Sequence, residues 1–460
     1  MLARHGFCCF MRALSEKKHR LTLFPETLII FLKEIKAISS TVRKTRKQAK
    51  HRKENYKMKN VIVGQSGGPT AVINASLYGV IREALKSEEV GHVYGMINGI
   101  EGFLQDKYMD LGEELSEGEL ELLKLTPAAY LGSCRYKLPE DLSAVFYQTI
   151  FEKLNDLNIG YFFYIGGNDS MDTVSKLSRC AQENGSDIRF IGIPKTIDND
   201  LILTDHTPGY GSAAKYVAST VREIVLDASV YQQKAVTIVE LMGRHAGWLT
   251  AASALARKFP GDNPMLIYLP ESNFELADFA KDLEKALEKR NSVIVCVSEG
   301  ISDASGTFIC EYGDEAMVDN FGHKMLTGCG KVLENFVRRQ LGIKVRSVEL
   351  NVSQRCSGIG SSLTDIEEAS RAGSEGVKVA LAGETGVMVA FKRTGDDPYQ
   401  MECAIEDVNK ICNQEKPVPA EWIVNGNDVS EEFLTYARPL IQGEPVRPMK
   451  DGLPEYLHRR

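Results

Sequence analysis

From Met58 onward, short apolar runs alternate with longer segments in which apolar residues recur every three to four positions. Short apolar runs are typical of buried strands, and the longer pattern is typical of helices packed against a sheet. Their regular alternation predicts βαβ units, in which helical crossovers connect parallel strands. We therefore expect an α/β protein with two doubly wound, mostly parallel three-layer domains.

The same pattern locates individual elements and domains. Strands are predicted at residues 59–64, 161–166, 190–193, 235–241, 264–269, 292–297 and 345–350. Helices are predicted at residues 70–86, 169–184, 211–229, 244–257, 318–340 and 361–382. The larger domain is predicted to comprise residues 58–209 plus 354–412, and the smaller one residues 210–353 plus 413–460. For the last segment, 413–460, we expect no role beyond packing on the smaller domain.

The first 57 residues differ from the rest of the chain in charge. They contain 15 Lys and Arg against 4 Glu, whereas the whole chain carries a net charge of −7. A basic extension of this kind, residues 1–57, is either a solvated arm outside the core or a tail for an anionic surface. The acidic remainder argues against nucleic acid as a partner.

Cysteine usage and hydropathy indicate the compartment. The ten cysteines form no CxxC pair, which argues against a zinc site or a disulfide framework and favours a reducing cytoplasm. The apolar stretch at residues 22–32 is too short to cross a hydrocarbon core of roughly 30 Å. We therefore expect a cytoplasmic protein with no membrane partner.

Three polar loops follow predicted strands, and ligands of open α/β sheets bind beyond the carboxyl ends of the strands. The glycine-rich turn 64–70 can hold a phosphate with its backbone N–H groups, although an ordinary tight turn also explains it. The loop 165–170 sets Asn168 beside Asp169, and the loop 192–200 contains two carboxylates, a cation and a hydroxyl group. An anion cradle, a carboxylate base and a metal ligand together are the components of phosphoryl transfer.

Arginines and a carboxylate follow later strands. Residues 242–244 (MGR) come after one strand and Glu299 after another, while Arg346 and Arg355 lie farther along the chain. Because a guanidinium group matches the geometry of phosphate oxygens, these arginines are candidates for holding a phosphorylated substrate.

Seven short motifs carry a resemblance to a known family. They are SGGP at 66–69, GSCR at 132–135, IGGNDS at 165–170, PKTIDND at 194–200, MGR at 242–244, SEG at 298–300 and QR at 354–355. In this order they resemble the motif series of the phosphofructokinases, over nearly the whole chain from Met58 to about residue 412. The family resemblance implies a large donor-binding domain and a smaller sugar-phosphate-binding domain.

The resemblance also implies an activity. This activity is transfer of a phosphoryl group to the 1-hydroxyl of fructose 6-phosphate, with Mg²⁺ as cofactor, in glycolysis and gluconeogenesis. Asp198 would take the hydroxyl proton, and Arg135 would neutralise charge on the transferring group. Arg346 matches a family arginine that reaches in from a neighbouring subunit, so a homodimer or homotetramer with shared active sites is implied as well.

Roles follow for the residues that match family positions. The expected catalytic residues are Asp198, Lys195, Asp169, Arg135 and Thr196. The expected donor-binding residues are Gly67, Gly68, Arg135, Asp169, Ser170 and Lys195. The expected sugar-phosphate ligands are Thr196, Ile197, Asp198, Asp200, Met242, Gly243, Arg244, Glu299, Arg346 and Arg355. Asn168 is the expected metal ligand, at a position where the family commonly has an aspartate.

The donor is predicted from Asp169 and Lys195. ATP-dependent members resemble one another in having glycine at these places, which leaves room for the nucleotide. Some members that use ATP resemble this chain at Lys195, so the prediction depends on Asp169. Here Asp169 would repel an α-phosphate, while Lys195 fills the other gap with a positive charge. At about 4 Å and an effective dielectric constant near 20, one such charge pair is worth about 4 kcal/mol. The pair resembles that of the pyrophosphate-dependent branch, so we expect pyrophosphate as donor and a reversible reaction.

Three other functions are alternatives to this one. An ATP-dependent phosphofructokinase and a non-catalytic regulatory subunit are the alternatives that share the motifs. A nicotinamide-dependent dehydrogenase is disfavoured because the turn 64–70 lacks the dinucleotide fingerprint.

Overall fold

The structure is a computed structural model that describes residues 58–312 and 328–459. The main strands are β1 Lys59–Gln65, β2 Val90–Met96, β3 Tyr108–Asp110, β4 Ile159–Gly166, β5 Arg189–Pro194, β6 Ala235–Leu241, β7 Leu266–Tyr268, β8 Ser292–Ser298, β9 Lys344–Glu349, β10 Val387–Asp396 and β11 Tyr399–Asp407. Two short hairpins follow them, formed by β12 Ile423–Val424 with β13 Asp428–Val429, and by β14 Met449–Lys450 with β15 Leu453–Pro454.

Helices connect these strands. They are α1 Ile73–Ala84, α2 Gly99–Leu104, α3 Leu111–Glu114, α4 Glu117–Leu125, α5 Val145–Asp156, α6 Asn168–Glu183, α7 Tyr210–Ala228, α8 Trp248–Ala252, α9 Leu276–Lys289, α10 Cys329–Leu341, α11 Ser353–Cys356, α12 Leu363–Ala382 and α13 Glu431–Ala437. Short 3₁₀ turns lie at Ser253–Ala256, Ile309–Tyr312, Val408–Lys410, Ala420–Trp422 and Arg438–Ile441. No helix in the described ranges is long and apolar enough to cross a membrane.

The larger sheet has seven strands in the order β11-β10-β5-β4-β1-β2-β3. Its inner strands are parallel, whereas β3 and β11 at the two edges run antiparallel to their neighbours. Successive residues of β1 point to opposite faces, since Val61 and Val63 join one buried cluster and Ile62 joins the other. The first face is covered by α1 and α12, and the second by α5 and α6, so the predicted three-layer arrangement is confirmed here.

The smaller sheet has four parallel strands in the order β7-β8-β6-β9. Val236 and Ile238 of β6 face one apolar cluster, while Val239 and Leu241 face the other. Both sheets are therefore buried on both sides, which explains why their strands read as short apolar runs rather than as alternating patterns. The predicted α/β class with mostly parallel sheets is confirmed.

Several predicted elements need correction. The helix predicted at 244–257 begins only at Trp248, and a 3₁₀ turn forms its last part, because residues 242–247 form a loop beyond β6. The hairpin β10–β11, the strands β2 and β3 and the helices α2 to α5 were not predicted. The basic extension 1–57 and residues 318–327 of the helix predicted at 318–340 lie outside the described residues. The domain boundaries stay a prediction, since the chain from Lys59 onward forms one compact unit.

The C-terminal segment packs against the smaller sheet and also contacts residues near the larger sheet. Val429 and Phe433 join the apolar cluster on one face of the smaller sheet. Farther along, the Leu457 N–H donates a hydrogen bond to the Thr126 hydroxyl group, and Arg459 donates one to the carbonyl of Leu131. Both acceptors lie just before the GSCR motif at 132–135. The end of the chain therefore contacts the segment that leads into this motif.

A buried cluster of charges lies behind the loop that follows β5. The two ring nitrogens of His206 lie 2.8 Å from Asp205 Oδ1 and 2.8 Å from Glu368 Oε2. Arg393 donates to Asp205, and the Tyr399 hydroxyl group donates to Glu368. Although burial alone would lower it, these carboxylates raise the pKa of His206 to about 9. The cluster therefore contains a protonated histidine at neutral pH.

We expect this histidine to stabilise the folded protein in a pH-dependent way. Because the pKa of His206 is about 6.5 in an unfolded chain, its stabilisation is fully present below that pH and is lost as pH rises through about 9. In urea unfolding, the difference in free energy between wild type and His206→Gln should shrink between about pH 6.5 and pH 9. A difference that stays constant over this range would contradict the assignment.

Candidate active site

Three of the predicted loops meet because their strands are neighbours. Strands β5, β4 and β1 are adjacent and parallel, so the residues that follow them lie at one edge of the sheet. Lys195 follows β5, Asn168 follows β4 and Gly67 follows β1. The Lys195 N–H donates to the carbonyl of Gly166, which joins the second and third loops directly.

Lys195 fills the space under the glycine-rich turn. Its ammonium group donates a 2.7 Å hydrogen bond to the carbonyl of Gly68, and its side chain is almost fully buried. Gly67 has a φ of +74°, and a Cβ added there would lie 3.3 Å from Lys195 Nζ. Only glycine adopts this backbone conformation readily, and its missing side chain leaves room for the ammonium group beneath the turn.

The turn differs from the sequence-based expectation in one respect. The Gly67 N–H, expected to be free for a phosphate, donates instead to the carbonyl of Cys134 at 3.1 Å. The Ser133 hydroxyl group also donates to the carbonyl of Gly67, at 2.6 Å. The GSCR loop is therefore fastened to the turn, and the Gly67 N–H is not free for an anion, so cationic side chains nearby are the better candidates for holding one.

The cationic side chains near Lys195 are those of Arg135 and Arg355. Burial lowers the pKa of Lys195 to about 8, against the attraction of Asp198 and Asp200, and the charges of Arg135 and Arg355 lower it further. A Cβ on Gly68 would lie 3.5 Å from a guanidinium nitrogen of Arg355. One ammonium and two guanidinium groups thus surround the turn, which is an arrangement suited to a compact polyanion.

The two carboxylates of the third loop lie beside this cationic group. Thr196 Oγ1 accepts from the Asp198 N–H at 3.1 Å and lies 3.4 Å from Asp198 Oδ2. Burial raises the pKa of Asp198, against the attraction of Lys195. Burial and the charge of Asp198 raise the pKa of Asp200 to about 7. Carboxylates with raised pKa values are suited to accepting a proton near neutral pH.

The second half of the site comes from the smaller sheet. The loop 242–244 follows β6, and Glu299 follows the adjacent strand β8. Gly243 has a φ of +136°, its N–H donates to Glu299, and the Ser298 hydroxyl group donates to its carbonyl. Burial raises the pKa of Glu299 to about 7, and the charge of Asp198 raises it as well. Glu299 and Asp198 are thus close enough to interact, although they follow strands of different sheets.

The remaining sugar-phosphate candidates occupy three different surroundings. The Met242 N–H donates to Gln354 Oε1, which joins the MGR loop to the QR motif. Ile197 belongs to the apolar core rather than to an open surface. Arg346 lies in β9 with its guanidinium group 4.0 Å from Asp227, and half of its side chain is exposed.

The IGGNDS loop forms the start of helix α6. Asp169 is exposed in the first turn of the helix, and the buried Ser170 packs against Gly166. The amide group of Asn168 donates to the carbonyl of Gln414 at 2.6 Å and accepts from the Asn413 N–H at 2.9 Å. Asn168 therefore fastens the segment after residue 412 to this loop.

A candidate position for a cation lies at Asp200 instead. Its Oδ1 atom is buried and has no hydrogen-bond partner among the described residues. Buried carboxylate oxygens are almost always paired, so an orphaned one fits a bound cation. Asn168 could contribute only the remaining lone pair of its amide oxygen.

Sequence reasoning missed residues 413–416 (NQEK). The Lys416 N–H donates to the carbonyl of Asp200, and its ammonium group donates to the carbonyls of Thr204 and Asp205. Glu415 lies 3.0 Å from a ring nitrogen of His245, next to the MGR loop. A 3₁₀ turn at Val408–Lys410 separates this segment from β11, which was not predicted either, so the signal that identified the other loops was absent.

Comparisons with known proteins identify the family of the chain. A family profile described as phosphofructokinase matches residues 60–380. The pyrophosphate–fructose 6-phosphate 1-phosphotransferase of Methylococcus capsulatus is 39% identical over 404 residues, which cover 87% of this chain and 95% of the relative. The protein of the same name from Rhodospirillum rubrum is 42% identical over 388 residues, which cover 83% of this chain and 94% of the relative.

A solved structure is similar throughout. The pyrophosphate-dependent phosphofructokinase of Marinobacter aquaeolei has a TM-score of 0.78 and 36% sequence identity, covering 86% of this chain and 95% of that one. The chain belongs to the phosphofructokinase family.

Proposed function

We propose that this chain transfers a phosphoryl group reversibly from pyrophosphate to the 1-hydroxyl of fructose 6-phosphate, giving fructose 1,6-bisphosphate and phosphate. The observation that carries the proposal is the pair of Asp169 and Lys195. Asp169 places a carboxylate in the first turn of α6, and the buried ammonium group of Lys195 fills the turn where the resemblance implies that ATP-dependent relatives have room for a nucleotide. The names of the relatives from Methylococcus capsulatus and Rhodospirillum rubrum support the same reaction. We also propose a cytoplasmic location.

The chemistry follows from the positions of the charged groups. Lys195 and Arg135 bind pyrophosphate and hold its terminal phosphorus toward the acceptor. Arg355, predicted from the sequence as a sugar-phosphate ligand, lies near Gly68 and contacts the donor as well. Arg244 and Glu299 hold the sugar phosphate from the loops that follow β6 and β8 of the smaller sheet. Asp198 takes the proton of the 1-hydroxyl group of fructose 6-phosphate. The hydroxyl oxygen then bonds to the terminal phosphorus of pyrophosphate, the bridging P–O bond breaks, and phosphate leaves. In the reverse direction Asp198 returns the proton.

The role of a divalent cation, Mg²⁺ in our proposal, rests on Asp200. Its orphaned buried oxygen is the position that fits an ion, with Asn168 as a secondary contact. When bound, Mg²⁺ would neutralise charge on the phosphate oxygens. Because Asn168 carries no charge and clamps Asn413, we propose that Asp200 contributes more to metal affinity.

The donor assay tests the proposal. Purified protein is supplied with fructose 6-phosphate and either pyrophosphate or ATP as the sole donor. We expect turnover with pyrophosphate and at most a trace with ATP. Turnover with ATP and none with pyrophosphate would refute the donor assignment, and inactivity with both would support the regulatory-subunit alternative.

We propose that the active site is completed by a second copy of the chain. Arg346 is half exposed, and nearby Leu226, Val230 and Tyr231 at the end of α7 are exposed apolar side chains. An exposed cation beside an apolar patch is suited to a subunit interface. The assembly would be a homodimer or homotetramer, in which Arg346 binds the sugar phosphate of the neighbouring subunit.

Subunit mixing should reveal this sharing. We expect Arg346→Ala to raise KM for fructose 6-phosphate, and Asp198→Asn to abolish most turnover. In mixed oligomers of the two variants, a site with intact Asp198 receives Arg346 from its neighbour, so activity should exceed the sum of the separate variants. Activity equal to that sum, in oligomers shown to contain both chains, would contradict the shared site.

A further inference from the structure

We propose that Tyr436 is a positioning residue for this reaction. Its hydroxyl group accepts a hydrogen bond from the Asn199 side chain and so fixes the turn that carries Asp198 and Asp200. Tyr436 lies in helix α13, within the C-terminal segment for which the sequence indicated packing only. The proposal rests on the proposed function, in which Asp198 is the base.

Asn199 determines the shape of the turn. It lies between the two aspartates, is fully buried and has a φ of +55°. Asparagine is one of the few residues other than glycine that adopt this left-handed conformation. Its Oδ1 atom accepts from the Thr207 N–H at 3.1 Å, and its Nδ2 atom donates to the Tyr436 hydroxyl group at 2.8 Å. Both ends of the amide group are therefore fixed, and the aspartates on either side are fixed with it.

Tyr436 is itself held rigidly. Its hydroxyl group donates to the carbonyl of Asp205 at 2.9 Å. Its ring centroid lies 5.4 Å from those of Trp248 and Trp422, and the guanidinium group of Arg393 lies 4.7 Å from it on the ring face. A side chain held on several sides can hold a neighbour in one geometry. The hydroxyl group thus connects the start and the end of the stretch 199–205.

Loss of the hydroxyl group alone should move the base. In Tyr436→Phe the ring packing is retained, but the Asn199 Nδ2 donor loses its buried acceptor. The turn must then shift to satisfy that donor, and a misplacement of about 1 Å can cost on the order of 10²-fold in rate. Because other predicted ligands of the sugar phosphate, among them Arg244 and Glu299, lie on other loops, most of its contacts remain, and the change should lower kcat much more than it raises KM.

The test compares Tyr436→Phe with a matched control, Tyr268→Phe. Tyr268 is also buried and its hydroxyl group donates to Asp282 at 3.2 Å, in the smaller sheet away from the turn. We expect Tyr436→Phe to lower kcat by about 10- to 100-fold with KM for fructose 6-phosphate within about twofold of wild type. The control should keep kcat within about twofold. Equal effects of the two variants on kcat, or an effect of Tyr436→Phe confined to KM, would overturn the proposal.

A double-mutant cycle with Asn199→Gly gives a second readout. Glycine tolerates the positive φ at this position, so this variant removes the amide group with the least backbone strain. If Tyr436 acts through Asn199, the double variant should lose little more kcat than Asn199→Gly alone. If the fold-loss of kcat in the double variant equals the product of the two single fold-losses, the two side chains act independently, and the proposal is overturned.

Hydrogen exchange separates this inference from the donor assignment. If the wild type uses ATP instead of pyrophosphate, the proposed donor fails, but the same kinetic cycle can be measured with ATP. If it uses neither, amide exchange of residues 196–200 still tests the positioning role. We expect faster exchange there in Tyr436→Phe than in Tyr268→Phe, and equal exchange would overturn the proposal.

Discussion

Exchange of Asp198 for asparagine is expected to lower kcat by about 10³-fold while leaving KM for both substrates nearly unchanged. The amide group cannot accept the proton of the 1-hydroxyl group, yet it matches the carboxylate in size. Because burial raises the pKa of Asp198, removal of its charge should not unfold the protein. Initial rates with pyrophosphate and fructose 6-phosphate, combined with a thermal unfolding curve, measure both effects.

An exposed aspartate serves as the control for this exchange. Asp187 pairs with Lys59 at 3.6 Å, and most of its side chain is exposed. Asp187→Asn should therefore retain wild-type kcat and stability, since exposed ion pairs contribute little. If Asp198→Asn retained more than about a tenth of the wild-type kcat, proton transfer to this carboxylate would not be the step that limits the reaction.

Replacement of Lys195 is expected to remove most of the use of pyrophosphate. Lys195→Met keeps the apolar stem but loses the ammonium group that donates to the carbonyl of Gly68 and is attracted by the carboxylate of Asp198. One charge contact of this kind is worth about 4 kcal/mol at an effective dielectric constant near 20, so kcat/KM for pyrophosphate should fall by about 10²- to 10³-fold. Steady-state kinetics at fixed fructose 6-phosphate concentration measure the loss.

The combined change of Asp169 and Lys195 to glycine extends this prediction. It removes the exposed carboxylate at the start of α6 together with the cation that fills the turn. We expect weaker use of pyrophosphate and measurable use of ATP, because both the repulsion and the obstruction disappear. Unchanged kinetics with pyrophosphate would contradict the role of the pair.

A second buried lysine provides the matched control. Lys176 lies on α6, the helix that begins beside Asp169. It is buried and pairs with Glu140 at 2.6 Å and with Asp172 at 2.8 Å. Lys176→Met should reduce stability because it leaves carboxylates without a partner, but it should leave the ratio of pyrophosphate to ATP use unchanged. A similar loss of pyrophosphate use in both lysine variants would indicate a general structural effect rather than donor binding.

The loops of the site could be predicted because they obey a local rule. Gly67, Asn168 and Lys195 each follow a buried parallel strand, so the pattern of apolar runs alone indicated that they meet. The hairpin β10–β11 escaped prediction because β11 is an edge strand and the second half of β10 is partly exposed, which weakens the apolar pattern. The predicted start of helix α8, residue 244, is four residues before its actual start at Trp248. The residues of the loop 242–247 are compatible with a helix, but this segment connects β6 to the site.

The contacts of Asn168 and Asn199 were beyond the reach of sequence patterns. Asn168 was expected to bind metal, yet its amide group holds the backbone of residues 413–414, which lie some 245 positions away. Asn199 is held by Tyr436, which is 237 positions away. Such pairs depend on how distant segments pack, and no local signal encodes them.

The sequence by itself determined the α/β class, the order of the strand-end loops and the chemical types of the groups they carry, since each of these depends on residues close together along the chain. The tertiary structure alone decided which of these groups are buried, which atoms they contact, and that the C-terminal segment fastens the turn around Asp198. Burial and contact decide the pKa values of Lys195, Asp198 and Asp200, because desolvation depends on every segment that packs around a charge.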